Sequence, residues 1–243
     1  MSSDNGGWMQ VFRRGKRREA PVIPDVLRPN PNPELSLNDI HDHHQSLVRN
    51  TQTRDWWQNL RTVLYDATKQ SGSLPLITKA VCLGTGPYDP ENGSITARKT
   101  AHLQTAAFRH IVNHFECVTG QKVQCYIQEP RFTKIDKEFC HDLDMDVVDS
   151  PDGFSIVDEQ TILFGIHMEL DIYNQALASQ LPAVYIGSSL QEWENILGQY
   201  YDGKRQIKNR LTAFREMDKT YHKFEFPDFE NMFSSTVMYW KKV

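Results

Sequence analysis

The sequence predicts an α/β domain with helices on both faces of a mainly parallel sheet. Across residues 75–200, short apolar runs typical of strands alternate with amphipathic stretches typical of helices. Such alternation implies parallel βαβ units with right-handed crossovers. The 243 residues, 39% of them hydrophobic, are enough for one core of this kind. We therefore expect a Rossmann-like three-layer sandwich, with two extra N-terminal helices and a C-terminal edge strand.

The first 36 residues are expected to form a disordered arm ahead of a single domain at 37–243. Five prolines in "APVIPDVLRPNPNPELS" interrupt helices and remove backbone donors from a sheet. Between residues 8 and 19, five Lys or Arg outweigh one Glu, so this segment carries +4 of a total of −4 and leaves −8 for the rest. An acidic body is a poor surface for nucleic acid. The basic run is a solvated tail, a nuclear localisation signal or a contact for polyanions.

The elements of the domain follow from hydrophobic periodicity and capping residues. The first helix is expected to begin at Asn38 and to run through "DIHDHHQSLVRNTQ". The second covers "TRDWWQNLRTVLYDATKQ", where Trp56, Leu60 and Leu64 recur on one face. Strands are expected at "KAVCLGTG", "KVQCYIQEP", "MDVVDS", "TILFGI", "PAVYIGSS" and "SSTVMYW". Helices are expected from Ser94 to about Val118 and at "TKIDKEFCHDL", "MELDIYNQALASQ", "LQEWENILGQY" and "KNRLTAFREMDKT".

Nothing in the sequence indicates a membrane or a secretory route. No apolar run approaches the roughly 18 residues of a membrane span, and the N-terminal stretch lacks the apolar region of a signal peptide. The four cysteines form no CxxC pair, and Cys82 and Cys125 lie in apolar runs, as buried free thiols do. We expect a reducing compartment and no membrane partner.

Candidate binding residues lie where the predicted strands end, because open parallel sheets bind ligands outside the carboxyl ends of their strands. They are Gly84, Thr85, Gly86, Glu129, His167, Gly187 and Ser188.

The glycine pair after the first strand suits a wall of such a crevice better than a phosphate cradle. A dinucleotide fingerprint needs a third glycine where this chain has Asp89, and the next helix starts only at Ser94. Two prolines between them also remove amide donors. The alternative is a purely structural turn at Gly84-Thr85-Gly86.

Each of the remaining strand-end residues has a functional and a structural interpretation. Glu129 could accept ribose hydroxyls, or could pair with Arg131. His167 could act as an acid or base near neutral pH, or could hydrogen-bond to the backbone. Gly187 and Ser188 line the crevice or only lead into the next helix, and the lack of a G-x-S-x-G elbow argues against a hydrolase nucleophile.

Two histidine groups raise the question of a metal. His110, His114 and Cys117 share one helix face at i, i+4 and i+7, a spacing that could present zinc ligands. The same face carries apolar residues, so hydrogen-bonded structural histidines are the alternative. The run "HDHH" near the first helix start is expected to face solvent.

The order of these motifs resembles the sensitivity-to-red-light-reduced (SRR-like) family. "GWMQVFRRGKRR", "VCLGTGPYDPENGSITAR", "IQEPRFTKIDKEFCHDLDMDVV", "ILFGIHMELDIYNQAL", "VYIGSSLQEW" and "FSSTVMYW" resemble successive motifs of that family. The chain departs from the family pattern at Glu129, where an Asp is usual, at Gly165-Ile166 in place of Met-Pro, and at Met168 in place of Cys.

The resemblance implies a regulatory protein of the cytoplasm and nucleus, linked to signalling, circadian timing or haem metabolism, with no established reaction. We therefore expect protein partners and a crevice open to a small ligand, whose identity the sequence does not reveal. One alternative is a methyltransferase-like enzyme with a nucleotide-type cofactor at Gly84, Gly86, Glu129 and His167. The other is a haem or metal sensor.

Overall fold

The computed structural model of the chain describes residues 27–52, 54–72, 74–200 and 209–242. The strands are β1 (Lys79–Leu83), β2 (Gln124–Gln128), β3 (Asp146–Val147), β4 (Thr161–Gly165), β5 (Val184–Ser188), β6 (Tyr221–Glu225) and β7 (Thr236–Lys241). The helices are α1 (Leu37–Gln52), α2 (Asp55–Gln70), α3 (Ile95–Thr119), α4 (Lys134–Asp142), α5 (Asp152–Ile156), α6 (Leu170–Ala176), α7 (Leu190–Tyr200) and α8 (Thr212–Thr220). The basic run of the predicted arm lies outside the described residues.

One sheet joins the seven strands of the described residues in the order β3-β2-β1-β4-β5-β7-β6. The first five are parallel, and β7 is antiparallel to both of its neighbours. In sequence order, β2 and β3 lie on one side of β1, and β4 and β5, which follow them, lie on the other side. The strand order therefore reverses between β1 and β4, and this is the switch point where such sheets bind ligands.

Helices cover both faces of the sheet, which confirms the predicted α/β sandwich. Side chains of a strand alternate between faces: in β1, Ala80 and Cys82 join the core under α1 to α4, whereas Val81 and Leu83 join the core under α5 to α8. The sequence analysis missed β6, which lies outside β7 and takes the outermost place on that side.

The long helix α3 begins and ends at recognisable caps. The Ser94 hydroxyl accepts a hydrogen bond from the Ala97 amide, as the predicted N-cap requires, and Gly120 ends the helix in a left-handed conformation. None of the helices in the described residues combines the length and apolar character needed to cross a bilayer.

The last part of the arm that the sequence predicts to be disordered is held against the domain. Residues 27–36 lie over the loop that follows β1, where the Asp89 carboxylate accepts hydrogen bonds from the Glu34 amide at 2.6 Å and the Leu35 amide at 3.0 Å. The Asn30 side chain donates to the Asp89 carbonyl. The side chain of Asp89 is only 5% exposed and lies 3.6 Å from Arg98. These contacts supply backbone partners that the proline-rich sequence cannot provide for itself.

Candidate functional site

The structure brings the predicted glycine loop and Glu129 together at the switch point. The Gly84 amide donates to the Gln128 carbonyl at 2.9 Å, and the Gly86 amide donates to Glu129 Oε2 at 2.8 Å. Gly84 and Gly86 have φ values of 65° and 85°, a left-handed region that favours glycine. The loop after β1 is thus fastened to the end of β2 by backbone and carboxylate contacts.

The carboxylate of Glu129 is fully engaged by the chain itself. Its Oε1 accepts hydrogen bonds from the Arg131 amide at 3.0 Å and from Arg131 Nε at 3.1 Å, while Oε2 accepts from Gly86. The Glu129 side chain is 3% exposed. Both interpretations of Glu129 place it beside the glycine loop. The structure shows the arrangement in which the carboxylate binds Arg131.

Met168 fills the space in front of the first glycine. A Cβ placed on Gly84 would overlap the sulfur and methyl of Met168, and one on Gly165 would lie 3.3 Å from Met168 Cγ. Glycine at position 84 therefore permits the close approach of a side chain of the same protein. The long, flexible methionine fits such irregular gaps well.

Tyr173 bridges the ends of β4 and β5. Its hydroxyl donates to the Gly165 carbonyl at 2.5 Å and accepts from the Ser188 amide at 3.3 Å. Burial raises the pKa of Tyr173, so this phenol stays protonated. A Cβ on Gly187 would meet the Tyr185 hydroxyl at 2.6 Å and the Gly165 carbonyl at 2.7 Å. Gly187 and Ser188 thus take part in tight internal packing.

Tyr88 fastens the far end of the glycine loop into the core. It is fully buried, and its hydroxyl lies 2.7 Å from the Thr105 hydroxyl of α3. Its amide donates to Asp136 Oδ1, and Asp136 also completes the capping box that starts α4 at Thr133. The loop from Gly84 to Tyr88 is therefore tied to β2, α3 and α4.

His167 follows β4, as predicted, but its ring binds the backbone. The residue has a left-handed φ of 53°, and its Nε2 donates to the Ser234 carbonyl at 2.8 Å. Ser234 lies just before β7, so His167 connects the end of β4 to the loop between β6 and β7. Its geometry is that of the structural alternative.

The histidines of α3 lie in the layer between helices. His114 Nε2 is 3.0 Å from the Thr68 hydroxyl of α2, and the His110 ring meets the Trp57 ring edge-on at 5.2 Å between centroids. Cys117 is exposed. In the part of the chain that the structure describes, no three His, Cys, Asp or Glu side chains come close enough together to hold a metal.

A pair of buried histidines was missed by the sequence analysis. His102 of α3 is fully buried with both ring nitrogens unpartnered among the described residues, and its ring lies 5.4 Å from that of His44. Burial lowers the pKa of His102 to about 3 and that of His44 to about 4. His44, from the "HDHH" run, is thus half-buried instead of facing solvent. His102 lies eight residues before His110 and therefore on the same face of the helix. Because that face was predicted to pack against the core, this spacing is the sequence signal for the burial of His102.

Comparison with known proteins gives weak structural neighbours and a family. Two crystal structures of geranyl diphosphate C-methyltransferase from Streptomyces coelicolor A3(2) align with TM-scores of 0.36 and 0.35 and sequence identities of 10% and 11%. Each covers 90% of this chain, and the alignments span 90% and 87% of those chains. None of the curated proteins matches the chain in sequence. A model of the SRR1 domain matches residues 44–240.

Proposed function

The chain belongs to the SRR1 domain family, and on this basis we propose that it is a regulatory protein that acts by binding other proteins. In this proposal it does not turn over a nucleotide cofactor at the switch point. The regulatory role in signalling, circadian timing or haem metabolism, and the location in cytoplasm and nucleus, come from the resemblance to the family and are part of the proposal.

The observation that carries the second part of the proposal, that no nucleotide cofactor is turned over at the switch point, is the internal use of the Glu129 carboxylate. To accept the two hydroxyls of a ribose, this carboxylate would have to release the Gly86 amide and Arg131, which it contacts at 2.8–3.1 Å. A buried amide left without an acceptor costs about 1–3 kcal/mol. A cofactor would have to offset that cost before it gained any affinity.

Met168 supports the same conclusion. In a cofactor-binding loop, glycine lets a ligand approach the backbone. Here the Met168 side chain occupies the space in front of Gly84. The residues at the switch point therefore do not fit a nucleoside cofactor in this conformation, and no catalytic step is assigned to Glu129 or His167.

The charge distribution makes the body of the chain a poor surface for nucleic acid. The body of the chain is acidic, and the basic residues are concentrated in the N-terminal arm. Clustered basic residues of this kind form a solvated tail, a localisation signal or a contact for polyanions, nucleic acid included.

The absence of a cofactor can be tested by thermal denaturation with S-adenosyl-L-methionine, S-adenosyl-L-homocysteine, NADH and NADPH. A ligand at about 100 times its Kd stabilises the folded state by about 2.7 kcal/mol, which raises the Tm of a domain of this size by about 5–11 °C. We expect no shift with the wild-type chain. A shift that Glu129→Ala removes would refute the proposal and support the methyltransferase-like alternative.

The partner-binding part needs its own experiment. Tagged wild-type chain and tagged Gly84→Val, whose side chain would clash with Met168 in a left-handed conformation, are compared in affinity capture. Recovered proteins are then tested pairwise in purified form. We expect this clash to prevent correct folding of Gly84→Val, so that partners are recovered with the wild-type bait alone. Recovery of the same proteins with both baits would contradict the proposal. A Soret band or a stoichiometric metal in the purified chain would favour a sensor instead.

A further inference from the structure

A cavity lies away from the switch point, between α1, α2 and α3. Its volume is about 550 Å³, within the range of about 300–1,000 Å³ that small-molecule sites have. Its polar and aromatic lining comes from His44, Trp57, Arg61, Arg109, His110 and Asn113. Each of the three helices contributes to it, so the site belongs to the helical layer and uses none of the strand-end residues.

Two guanidinium groups of this lining have no carboxylate partner in the part of the chain that the structure describes. Arg61 Nε donates to the Trp57 carbonyl at 3.3 Å, and Arg109 Nη1 donates to Cys125 Sγ at 3.0 Å. Among the described residues, neither lies within 4 Å of an Asp or Glu oxygen, unlike Arg98 and Arg131. A guanidinium has five N–H donors in a planar fork that matches carboxylate and phosphate oxygens. Most donors of both residues remain for such an oxyanion.

The histidines add neutral hydrogen-bonding groups beside this charge. His44 Nδ1 and His110 Nε2 are buried and have no hydrogen-bond partner among the described residues. Both rings line the cavity, and because these two nitrogens are buried, each ring must turn before a bound group can supply the missing partner and remove a cost of about 1–3 kcal/mol. Burial lowers the pKa of both histidines, with the Arg61 charge as a further cause at His110.

The sign of the charge selects the class of ligand. Among the residues that the structure describes, the lining contains two permanent cations and no acidic side chain, so a metal ion is repelled and an anion is attracted. Trp57 presents an aromatic ring next to His110. We propose that this cavity binds a small oxyanion ligand, a phosphorylated or carboxylated metabolite, held by Arg61 and Arg109 with His44 and His110 as hydrogen-bonding partners.

Isothermal titration calorimetry with inorganic phosphate, pyrophosphate and succinate tests this site. The buffer contains no other multivalent anion, and the two phosphate probes against succinate distinguish phosphate from carboxylate chemistry. We expect saturable 1:1 binding of at least one probe. A hydrogen bond to a charged group is worth about 1.5–3 kcal/mol, so Arg61→Gln and Arg109→Gln should each weaken binding about tenfold or more.

Lys69→Gln is the matched control, because Lys69 is an exposed cation on α2 outside the cavity lining. It should change the affinity by less than about twofold, as a charge effect through water is small. If Arg109→Gln does not fold, Arg61→Gln alone tests the proposal. This variant should fold, because Arg61 is exposed and its hydrogen bond to Trp57 lies within its own helix.

Two outcomes would overturn the proposal. One is the absence of binding by all three probes at about 10 mM, well above a Kd of about 1 mM. The other is an equal loss of affinity in Lys69→Gln and Arg61→Gln, which would show only general attraction of anions. As a second readout, bound probe should shift the NMR signals of the His44 and His110 side chains and leave that of His222 unchanged.

Discussion

Replacing Glu129 with Gln would separate the structural and the ligand-binding interpretations of the switch point. Each carboxylate oxygen now accepts at least one hydrogen bond, Oε2 from Gly86 and Oε1 from the backbone and side chain of Arg131. Glutamine keeps the shape but has one oxygen and one NH₂ group. Whichever way the amide is turned, its NH₂ faces an N–H donor that then has no acceptor.

The expected cost follows from these contacts. One buried backbone amide without an acceptor costs about 1–3 kcal/mol. The ion pair with Arg131, whose side chain is 44% exposed, adds only about 0–1 kcal/mol because solvent screens it. We therefore expect a loss of about 1–4 kcal/mol, which lowers the Tm of a chain of this length by about 2–16 °C.

Differential scanning calorimetry of the ligand-free chain measures this effect. Glu138→Gln serves as the control, because Glu138 pairs with Lys134 at 3.6 Å on the exposed surface, and such pairs contribute about 0–1 kcal/mol. The Tm of Arg131→Gln should lie between those of the two variants, because its backbone amide still donates to Glu129 and only the side-chain contact is lost. If Glu129→Gln has the same Tm as Glu138→Gln, the structural assignment is refuted and ligand binding remains as the role of Glu129.

Two further predictions concern buried polar groups. His102, whose pKa is lowered to about 3, binds a proton in the unfolded chain below pH 6.5 but not in the folded one, so stability falls as the pH drops. At pH 5 the share of this loss that His102 causes is about 2 kcal/mol. Urea unfolding should show that His102→Phe removes that share, with the share of His44 left, and that exposed His141→Gln removes none; equal losses in the two variants would contradict the assignment. Asp89→Ala should speed hydrogen exchange at the amides of Glu34 and Leu35 about tenfold or more, whereas Glu91→Ala, at an exposed ion pair, should leave these amides protected.

The order of helices and strands was predictable because most elements carry a clear hydrophobic period. In β6 only Tyr221 is well buried, so its sequence shows no apolar alternation, and pairing with β7 creates the strand. The five-residue helix α5 reads as a turn for the same reason, since it is too short to show a period.

The sequence predicted where the candidate site lies, but not which side chains of the protein fill it. Parallel strands place Gly86 and Glu129 at the same edge of the sheet, and the sequence order alone predicts that they are neighbours. Which partner the carboxylate binds depends on the direction of the Arg131 side chain, and the access to Gly84 depends on the rotamer of Met168. Neither is determined by local sequence.

The two outer strands of the sheet affect how this protein can meet another one. Within the described residues the sheet ends at β3, which is two residues long, and at β6, where Lys223 and Glu225 are exposed. Short and charged edges discourage a foreign strand from pairing with the free backbone groups. This protects the chain against edge-to-edge aggregation and favours recognition through its helices and loops.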